Sequence, residues 1–209
     1  MGGTVLDVGV GAGAASLPLR PGLVVGVDAN QELLDAFVER AARYAIPAHP
    51  ILGRWPEVGA STPVADVVVC HHVVYNVADL ASFATALSEH ARNRVVVELT
   101  AEYPLAWMAP YWAALHGWTQ PDGPGADDAI EVLASLGVSA HQERWRGEAQ
   151  MMGESGPERV ARLGRRLCLP VARHGELRHL VDQYPPPRER ELVTLWWDVP
   201  GRADGRARA

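Results

Sequence analysis

The sequence contains no lysine, and all 19 of its Lys or Arg positions are arginine. A Schiff-base lysine or a general-base lysine is therefore excluded. Cysteine is also scarce, because Cys70 and Cys168 are the only two and they show no metal-binding or redox spacing. This usage is typical of a reducing compartment, so we expect a cytoplasmic protein.

Long apolar runs are missing as well. No stretch reaches the ~20 apolar residues that span a bilayer, and the N-terminus lacks the charged region of a signal peptide. The net charge is −6, and no broad basic stripe is visible. A mildly acidic chain does not favour non-specific nucleic-acid binding. We therefore expect a small-molecule ligand, with neither nucleic acid nor membrane as a partner.

The chain is nonetheless long enough to build a sizeable core. It has 209 residues, of which 48% are hydrophobic, and it shows no internal repeat. Length and composition predict a single domain over residues 1–200, or one domain with a modest insertion. Residues 201–209 form an Arg-rich tail that we expect to be loose.

The most informative stretch lies at the start of the chain, where an apolar run meets Gly9, Gly11 and Gly13. This pattern predicts a strand, a tight turn and then a helix. Glycine adopts positive φ cheaply and lets a ligand approach the backbone. A helix that begins here would also present free N–H groups to an anionic or polar ligand.

A second strand, Leu23 to Val27, ends at Asp28, whose carboxylate is suited to accept hydrogen bonds from a ribose diol. Gly9, Gly11 and Ala14 match the dinucleotide pattern G-x-G-x-x-G/A, and Asp28 lies near the expected distance. An NAD(P)-dependent oxidoreductase therefore fits these residues. A glycine-rich turn without any ligand is the simpler alternative.

Strand and helix patterns then alternate with short connections, which predicts right-handed βαβ units and a parallel sheet. Asn30 and Asp79 are suited to cap two helices. Later helices are predicted from Pro104 to about His116 and from Asp127 or Asp128 to Gly137. Two more helices and the remaining strands are predicted at 157–169 and 175–183, and at 48–52, 65–70, 94–100, 138–145 and 191–199.

Asp7 comes directly before Val8-Gly9, and the segment Asp-Val-Gly-x-Gly-x-Gly resembles the first motif of the class I S-adenosylmethionine-dependent methyltransferases. The resemblance implies an α/β fold, a three-layer Rossmann-like sandwich with helices on both faces. Its sheet would have seven mostly parallel strands in the order 3-2-1-4-5-7-6, with the last strand antiparallel. The predicted helical pair between the final two strands, at about 155–184, would be an insertion. The resemblance also makes S-adenosyl-L-methionine the expected cofactor.

The resemblance further implies a set of cofactor contacts near the carboxyl ends of the first strands. Family members often carry an acid at the position of Arg54, where it contacts the adenine amine. Arg54 cannot accept that hydrogen bond, so the backbone and ring of Trp55 would replace it, unless Trp55 simply packs under a loop. The implied cofactor-binding residues are Asp7, Gly9, Gly11, Gly13, Asp28, Ala29, Arg54, Trp55, Cys70 and His71.

His72 and Tyr75 follow the central strand and are the candidate catalytic residues. Histidine titrates near neutral pH, which suits a general base when the acceptor must lose a proton. A solvated loop is the competing interpretation. We expect no metal site at His71 and His72, because adjacent strand residues point to opposite faces.

Further along the chain, Trp107, Tyr111 and Trp118 either form the wall of an acceptor pocket or belong to the core. Arg159, Arg162 and Arg166 share one helical face. This face is either solvated or binds an anionic acceptor through guanidinium groups.

These observations predict S-adenosylmethionine-dependent methyl transfer to a small-molecule oxygen or nitrogen acceptor, by in-line displacement and mainly by positioning. Two alternatives stay open, namely the NAD(P)-dependent oxidoreductase and a non-catalytic S-adenosylmethionine-binding scaffold or regulator. Asp7 and the absence of a Tyr-x-x-x-Lys pair count against the oxidoreductase. The absence of an Asn-Pro-Pro-Tyr motif counts against protein and nucleic-acid substrates.

The first strand begins almost at Met1, whereas in this family a preceding segment usually covers the cofactor. We therefore expect either that the natural chain begins further upstream, or that a homodimer, another partner or the helical insertion covers the N-terminal side of the cofactor site. Without such cover, water would compete for the polar contacts of the cofactor and weaken its binding.

Overall fold

The computed structural model describes residues 2–149 and 156–199. Its main feature is a seven-stranded sheet with the order β3-β2-β1-β4-β5-β7-β6. This order confirms the prediction. The strands are β1 (Thr4–Val8), β2 (Leu23–Asp28), β3 (Ala48–Leu52), β4 (Ala65–His71), β5 (Ala91–Thr100), β6 (His141–Glu148) and β7 (Glu189–Asp198).

The strands β1 to β5 run parallel to one another through the pairs β1–β2, β2–β3, β1–β4 and β4–β5. The last strand runs the other way. Ala101 N–H donates to the carbonyl of Glu191 and Val199 N–H donates to that of Asn93, so residue numbers rise along β5 while they fall along β7. This pattern is antiparallel, as predicted.

Six α-helices connect the strands among the described residues, and two of them have the predicted caps. Asn30 Oδ1 accepts from the N–H groups of Glu32 at 2.9 Å and Leu33 at 3.3 Å, and Asp79 Oδ1 accepts from Ser82 N–H at 3.0 Å. The helices are α1 (Gln31–Arg43), α2 (Leu80–His90), α3 (Ala109–His116), α4 (Ala126–Ser135), α5 (Pro157–Arg166) and α6 (His174–Gln183).

The predicted helix after the glycine turn is wrong. Residues 9–16 form turns, and only a single 3₁₀ turn, Leu17–Leu19, follows before β2. Pro18 explains this difference, because it has no N–H to donate and its ring would clash with a helical carbonyl four residues earlier. The helix N-terminus that we expected to favour a ligand is therefore not present at the glycine turn.

Several other element boundaries differ from the predictions. The strand predicted at 94–100 is β5, which begins at Ala91, and the helix predicted at 157–169 is α5, which ends at Arg166. The helix predicted from Pro104 begins as a 3₁₀ turn, Ala106–Met108, and becomes α3 only at Ala109. The strand predicted at 138–145 is β6, which begins at His141. Its start is delayed because Val138 N–H donates to the carbonyl of Leu133 and thereby closes the C-terminus of α4.

The chain divides into two compact units. Unit 1 comprises Met1–Leu99, Ala126–Glu143 and Val193–Ala209, and unit 2 comprises Thr100–Gly125 and Arg144–Leu192. The predicted insertion lies within unit 2, and the single-domain assignment stays a prediction. Residues 201–209, the predicted loose tail, lie outside the described residues.

Each unit has an apolar cluster of its own. In unit 1, Phe37 and Leu34 of α1 pack with Val10, Leu17, Val24, Ala41 and Ile46. In unit 2, helices α3, α5 and α6 bury a cluster of Met108, Tyr111, Leu115, Val160, Leu163, Leu167, Leu169, Leu177 and Val181. Within residues 2–149 and 156–199, no helix is long and apolar enough to cross a membrane.

Candidate active site

A cleft of about 270 Å³ opens in unit 1 where β1, β2 and β4 end. Parallel sheets bind ligands beyond these carboxyl ends, at the point where the strand order reverses. Among the predicted cofactor residues, Gly9, Asp28, Ala29, Arg54 and Trp55 line the cleft. The other lining residues are Val8, Val27, Gly53, His72, Val73, Asn76, Val77 and Phe83.

The three predicted turn glycines all adopt positive φ, at 76° for Gly9, 51° for Gly11 and 78° for Gly13. A Cβ at Gly9 would lie 2.2 Å from Val73 Cγ2, whereas a Cβ at Gly11 would meet no atom within 4 Å. Gly9 is thus required by packing, while Gly11 leaves the backbone open to a ligand. Gly11 and Gly13 are not lining residues of the cleft itself.

Asp28 connects the glycine turn to the second strand. Its Oδ2 accepts from Gly11 N–H and its Oδ1 from Asn30 N–H, both at 2.9 Å. Each carboxylate oxygen has two acceptor sites, so both oxygens retain capacity for ribose hydroxyls. Asp28 therefore shapes the turn as well as facing the cleft, a role that sequence reasoning missed.

Asp7 lies at the end of β1, and its side chain is buried, with 1% exposed. Burial raises the pKa of Asp7 to about 6, hydrogen bonding from the Ser16 side chain and backbone lowers it, and the charge of Asp28 raises it further. Asp7 Oδ2 is buried and has no hydrogen-bond partner among the described residues. A buried acceptor of this kind beside the turn fits a polar cofactor that brings its own donor.

The segment after β3 brings Arg54 and Trp55 to the cleft. Trp55 is buried, its indole N–H points to the carbonyl of Phe83 at 3.4 Å, and its ring meets His90 edge-on at 4.7 Å. Gly53 N–H donates to the Asp28 carbonyl at 2.9 Å. Trp55 is therefore both a packed residue and a wall of the cleft.

Like Asp7, Gly11 and Gly13, the predicted cofactor residues Cys70 and His71 do not line the cleft. The thiol of Cys70 is fully buried within β4, and burial raises its pKa well above the usual range. His71 is half-buried, and burial lowers the pKa of its imidazole. A buried thiol of raised pKa is a structural group rather than a reactive one.

The two candidate catalytic residues lie together. His72 Nδ1 is 3.3 Å from Tyr75 Oη, and the two rings are nearly parallel. The prediction that His71 and His72 point to opposite faces is wrong. Both imidazoles lie close to Glu98 Oε1, with His71 Nδ1 at 3.7 Å and His72 Nε2 at 3.4 Å.

The reason is the backbone at His72, which has left β4 and adopts φ 59°. This left-handed conformation is uncommon for a residue with a side chain and occurs often at functional sites. Sequence reasoning missed Glu98. Its signal was the single carboxylate within the apolar run of β5, which pairs in register with His71. In the described part of the chain, no group of three His, Cys, Asp or Glu residues is suited to a metal ion.

The three aromatic residues predicted to form an acceptor wall lie in different places within unit 2. Trp107 lines a cavity of about 390 Å³, while Trp118 and Arg166 line a separate cavity of about 370 Å³. Tyr111 is fully buried and its hydroxyl donates to the Tyr184 carbonyl. Tyr111 is therefore a core residue, as the alternative interpretation held.

The part of the chain that forms the cleft matches a known protein family. Residues 5–94 match the family described as a methyltransferase domain. This span includes the glycine turn, Asp28 and all residues of the cleft, and the sheet has the strand order expected of that family. Over these residues the chain matches a methyltransferase domain, and its fold is the one expected of the class I S-adenosylmethionine-dependent methyltransferases. The match favours methyl transfer over the NAD(P)-dependent oxidoreductase.

Solved structures share the fold of this chain. The YcgJ protein of Bacillus subtilis has a TM-score of 0.61 and 14% identity, with 94% of this chain and 92% of that chain covered. A putative methyltransferase of Bacillus halodurans has a TM-score of 0.58 and 11% identity over 95% and 93% of the two chains. Magnesium protoporphyrin IX methyltransferase of Synechocystis, solved with S-adenosylhomocysteine, has a TM-score of 0.55 and 16% identity, with 93% of this chain and 74% of that chain covered.

These identities show the fold alone. No curated protein matches the chain. The acceptor must therefore be argued from the residues of this chain.

Proposed function

We propose that this protein transfers a methyl group to an oxygen or nitrogen atom of a small molecule, with His72 and Tyr75 handling the acceptor's proton. The observation that supports this most is the cleft itself. It combines an open glycine turn, an Asp28 carboxylate with spare acceptor capacity and His72 on its wall. S-adenosylmethionine supplies the methyl group on an activated sulfonium carbon.

Three residues of unit 1 suit that cofactor. Asp28 would hold the ribose hydroxyls, since its oxygens can each accept a further hydrogen bond. Gly11 would let the cofactor approach the backbone. Asp7 has a buried oxygen without a partner among the described residues and would accept from a donor group of the cofactor, directly or through a bound water.

The adenine end is where this chain differs from the family pattern. Arg54 has only donors, so it cannot accept from the adenine amine. The Trp55 indole N–H already faces the Phe83 carbonyl, which leaves the ring face and the backbone for the cofactor. We propose that Trp55 contributes stacking to adenine, and that Cys70 and His71 contribute through their backbone.

Unit 2 supports a small acceptor rather than a polymer. Its cavity of about 390 Å³ falls in the range of small-molecule sites. The overall charge agrees with a small acceptor, since a net charge of −6 does not favour nucleic-acid binding. Cover of the cofactor by a second copy or another partner stays a prediction.

A labelling experiment tests the acceptor class. S-adenosylmethionine with a radioactive methyl group is incubated with the protein and, separately, with the small-molecule and macromolecular fractions of a cell extract. We expect enzyme-dependent label in the small-molecule fraction and a lower rate with His72→Ala. Label that enters only protein or nucleic acid would overturn the proposed acceptor class, and no transfer to any fraction would favour the non-catalytic scaffold.

A further inference from the structure

The carboxylate of Glu98 lies close to both His71 and His72, and packing alone does not explain this position. Its side chain is 17% exposed, and its Oε1 lies 3.4 Å from His72 Nε2 and 3.7 Å from His71 Nδ1. The backbone of Glu98 also holds His72, because its carbonyl accepts from His72 N–H at 2.8 Å. Main chain and side chain of Glu98 thus both engage the same residue.

The contacts of His72 indicate which of its two ring nitrogens carries the proton in the neutral form. A neutral imidazole carries one N–H, and an ionised carboxylate can only accept. The negative charge of Glu98, whose Oε1 lies 3.4 Å from Nε2, favours the proton on Nε2, so Nδ1 keeps its lone pair. Tyr75 Oη, 3.3 Å from Nδ1, then donates its O–H to that lone pair.

We infer that Glu98 is a positioning residue, which fixes the tautomer of His72 and stabilises its protonated form, so that Nδ1 accepts a proton through the hydroxyl of Tyr75. This inference rests on the proposed function for the source of the proton. An acceptor hydroxyl gives its proton to the Tyr75 oxygen while the phenolic proton of Tyr75 moves to Nδ1. The His72 side chain is 41% exposed, so the imidazolium returns its proton to water.

Such a relay favours acceptors that must lose a proton, such as hydroxyl compounds, over tertiary amines that attack without one. Charged and titratable groups near His72 include Glu98 and Tyr75, and His71 lies beside the same carboxylate. Burial lowers the pKa of His71, which favours the neutral form of His71. Glu98 then supports the positive charge on His72.

The test is a ¹⁵N NMR titration of His72 in the full chain, which requires neither cofactor nor acceptor. We expect Nε2 to carry the proton in the neutral form. Glu98→Gln should lower the midpoint of the His72 titration by about 0.5–1 pH unit, since a nearby opposite charge favours the protonated form. Glu98→Asp should restore part of this shift. Glu131→Gln on α4 removes the same charge from an exposed site and should leave the midpoint unchanged.

An equal midpoint in wild type and Glu98→Gln, or a neutral form protonated at Nδ1, would overturn the inference. Circular dichroism shows whether each variant folds, and Glu98→Asp serves if Glu98→Gln does not. The outcome is separable from that of the proposed function. A protein that fails to bind S-adenosylmethionine would overturn the proposed function while the titration still reports on Glu98.

A different observation concerns the larger cavity of unit 2. It is lined by two aromatic rings, three carboxylates and one guanidinium among small residues, with a volume of about 390 Å³. These groups are Tyr103, Trp107, Glu102, Glu189, Glu191 and Arg190. Carboxylates outnumber the cation, so the lining favours a positively charged ligand.

The three carboxylates of the cavity differ in whether a cation pairs with them. Glu191 lies 3.5 Å from Arg144, whereas Glu102 and Glu189 have no ion pair within residues 2–149 and 156–199. Arg190 Nε is buried and has no hydrogen-bond partner in the same ranges. The cavity thus offers two carboxylates for a cation and one buried donor for an oxygen.

We propose that this cavity binds a small organic ammonium compound with an aromatic body and an oxygen acceptor. The carboxylates attract the ammonium, the faces of Trp107 and Tyr103 suit both the ring and the cation, and Arg190 Nε donates to the oxygen. The ligand is a candidate acceptor of the proposed reaction. Its binding can be measured without any methyl transfer.

The probes are three phenols that differ in charge, namely tyramine, 4-ethylphenol and 3-(4-hydroxyphenyl)propionate. Calorimetric titration should show tyramine binding at least about fivefold more tightly than the other two. The double variant Glu102→Gln/Glu189→Gln should lose this preference, and Trp107→Leu should weaken tyramine binding. Glu158→Gln, an exposed charge change on α5, should behave as wild type.

Tighter binding of the propionate, or a tyramine preference that survives in the double variant, would overturn this proposal. So would the absence of binding by all three probes. None of these results affects binding of S-adenosylmethionine in unit 1, which keeps the two proposals separately testable.

Discussion

At the scale of single residues, Asp28 has more than one structural role. Its carboxylate holds the glycine turn through Gly11 N–H and the start of α1 through Asn30 N–H. The position of this acid after β2 was predictable, because a strand ending in Asp is visible in the sequence. Its bond to Gly11 was not, because it depends on how the turn folds back over β2.

Asp28→Ala should therefore weaken binding of S-adenosylmethionine by about 1.5–3 kcal/mol, the value of hydrogen bonds to a charged group. Hydrogen exchange at Gly11 should also become faster, because its N–H loses its acceptor. Asp35→Ala on α1 is the matched control, since Asp35 bonds only Gln31 in an exposed pair. Unchanged affinity in a folded Asp28→Ala protein would contradict the ribose assignment.

Asp7 gives a prediction about pH. The pKa of Asp7 in the folded protein is raised from 3.8 to about 6, so the folded state holds this proton more tightly than the unfolded state. Stability from this group is full below pH 4 and is lost as the pH rises through 6. At pH 7 the loss is on the order of 3 kcal/mol as an upper value.

Asp7→Asn removes this titration. Urea unfolding between pH 4 and pH 8 should show a smaller loss of stability with rising pH in Asp7→Asn than in wild type. The comparison of slopes cancels the other titrating groups. Parallel pH profiles for the two proteins would show that the Asp7 carboxyl is not perturbed by burial.

At the scale of elements, the segment from Gly53 to Thr62 is held against α2 by His90. His90 Nε2 lies 2.9 Å from the Gly59 carbonyl and Nδ1 lies 2.8 Å from the Ala86 carbonyl, while the ring packs edge-on against Trp55. His90 thus connects the C-terminal turn of α2 to the segment that lines the cleft. Nothing in the sequence pattern indicated this contact, which joins residues 31 positions apart.

His90→Ala should destabilise the fold by about 1–2 kcal/mol through lost packing and an unpaired carbonyl. We also expect faster hydrogen exchange over residues 53–62 and weaker binding of S-adenosylmethionine, because Trp55 loses its support. His49→Ala on the exposed edge strand β3 is the control. Equal exchange rates in His90→Ala and wild type would show that the segment is held by other contacts.

The glycine turn shows the limit of local reasoning at this scale. Its three positive φ values were predictable from the glycine spacing. The helix expected after it was not formed, because Pro18 interrupts the segment and a 3₁₀ turn replaces the helix. The ligand binding that we propose at the turn would therefore depend on its open backbone and on Asp28 rather than on a helix dipole.

At the scale of the whole molecule, alternating strand and helix patterns predicted the parallel part of the sheet, and the resemblance to a family supplied the strand order. The cluster of His71, His72 and Glu98 could not be predicted in this way. It arises from the pairing of His71 with Glu98 across β4 and β5 and from the left-handed backbone of His72. Both are tertiary features that local patterns do not encode.

Unit 2 was predicted least well for the same reason. Its residues come from two separate stretches, 100–125 and 144–192, and its aromatic residues divide between a buried core and two cavities. Periodicity places Trp107 and Tyr111 on a helix face but does not show which of them lines a cavity. Of these two residues, Tyr111 is the one that is fully buried.

The central claim is that the cleft of unit 1 binds S-adenosylmethionine. The most direct measurement is calorimetric titration of the full chain with S-adenosylmethionine, S-adenosylhomocysteine and NAD under the same conditions, repeated with Gly11→Val. We expect both sulfur compounds to bind wild type with one-to-one stoichiometry, NAD not to bind, and Gly11→Val to abolish binding, because a β-branched side chain would fill the open side of the turn. Binding of NAD in preference to S-adenosylmethionine, or undiminished binding by a folded Gly11→Val protein, would contradict the account.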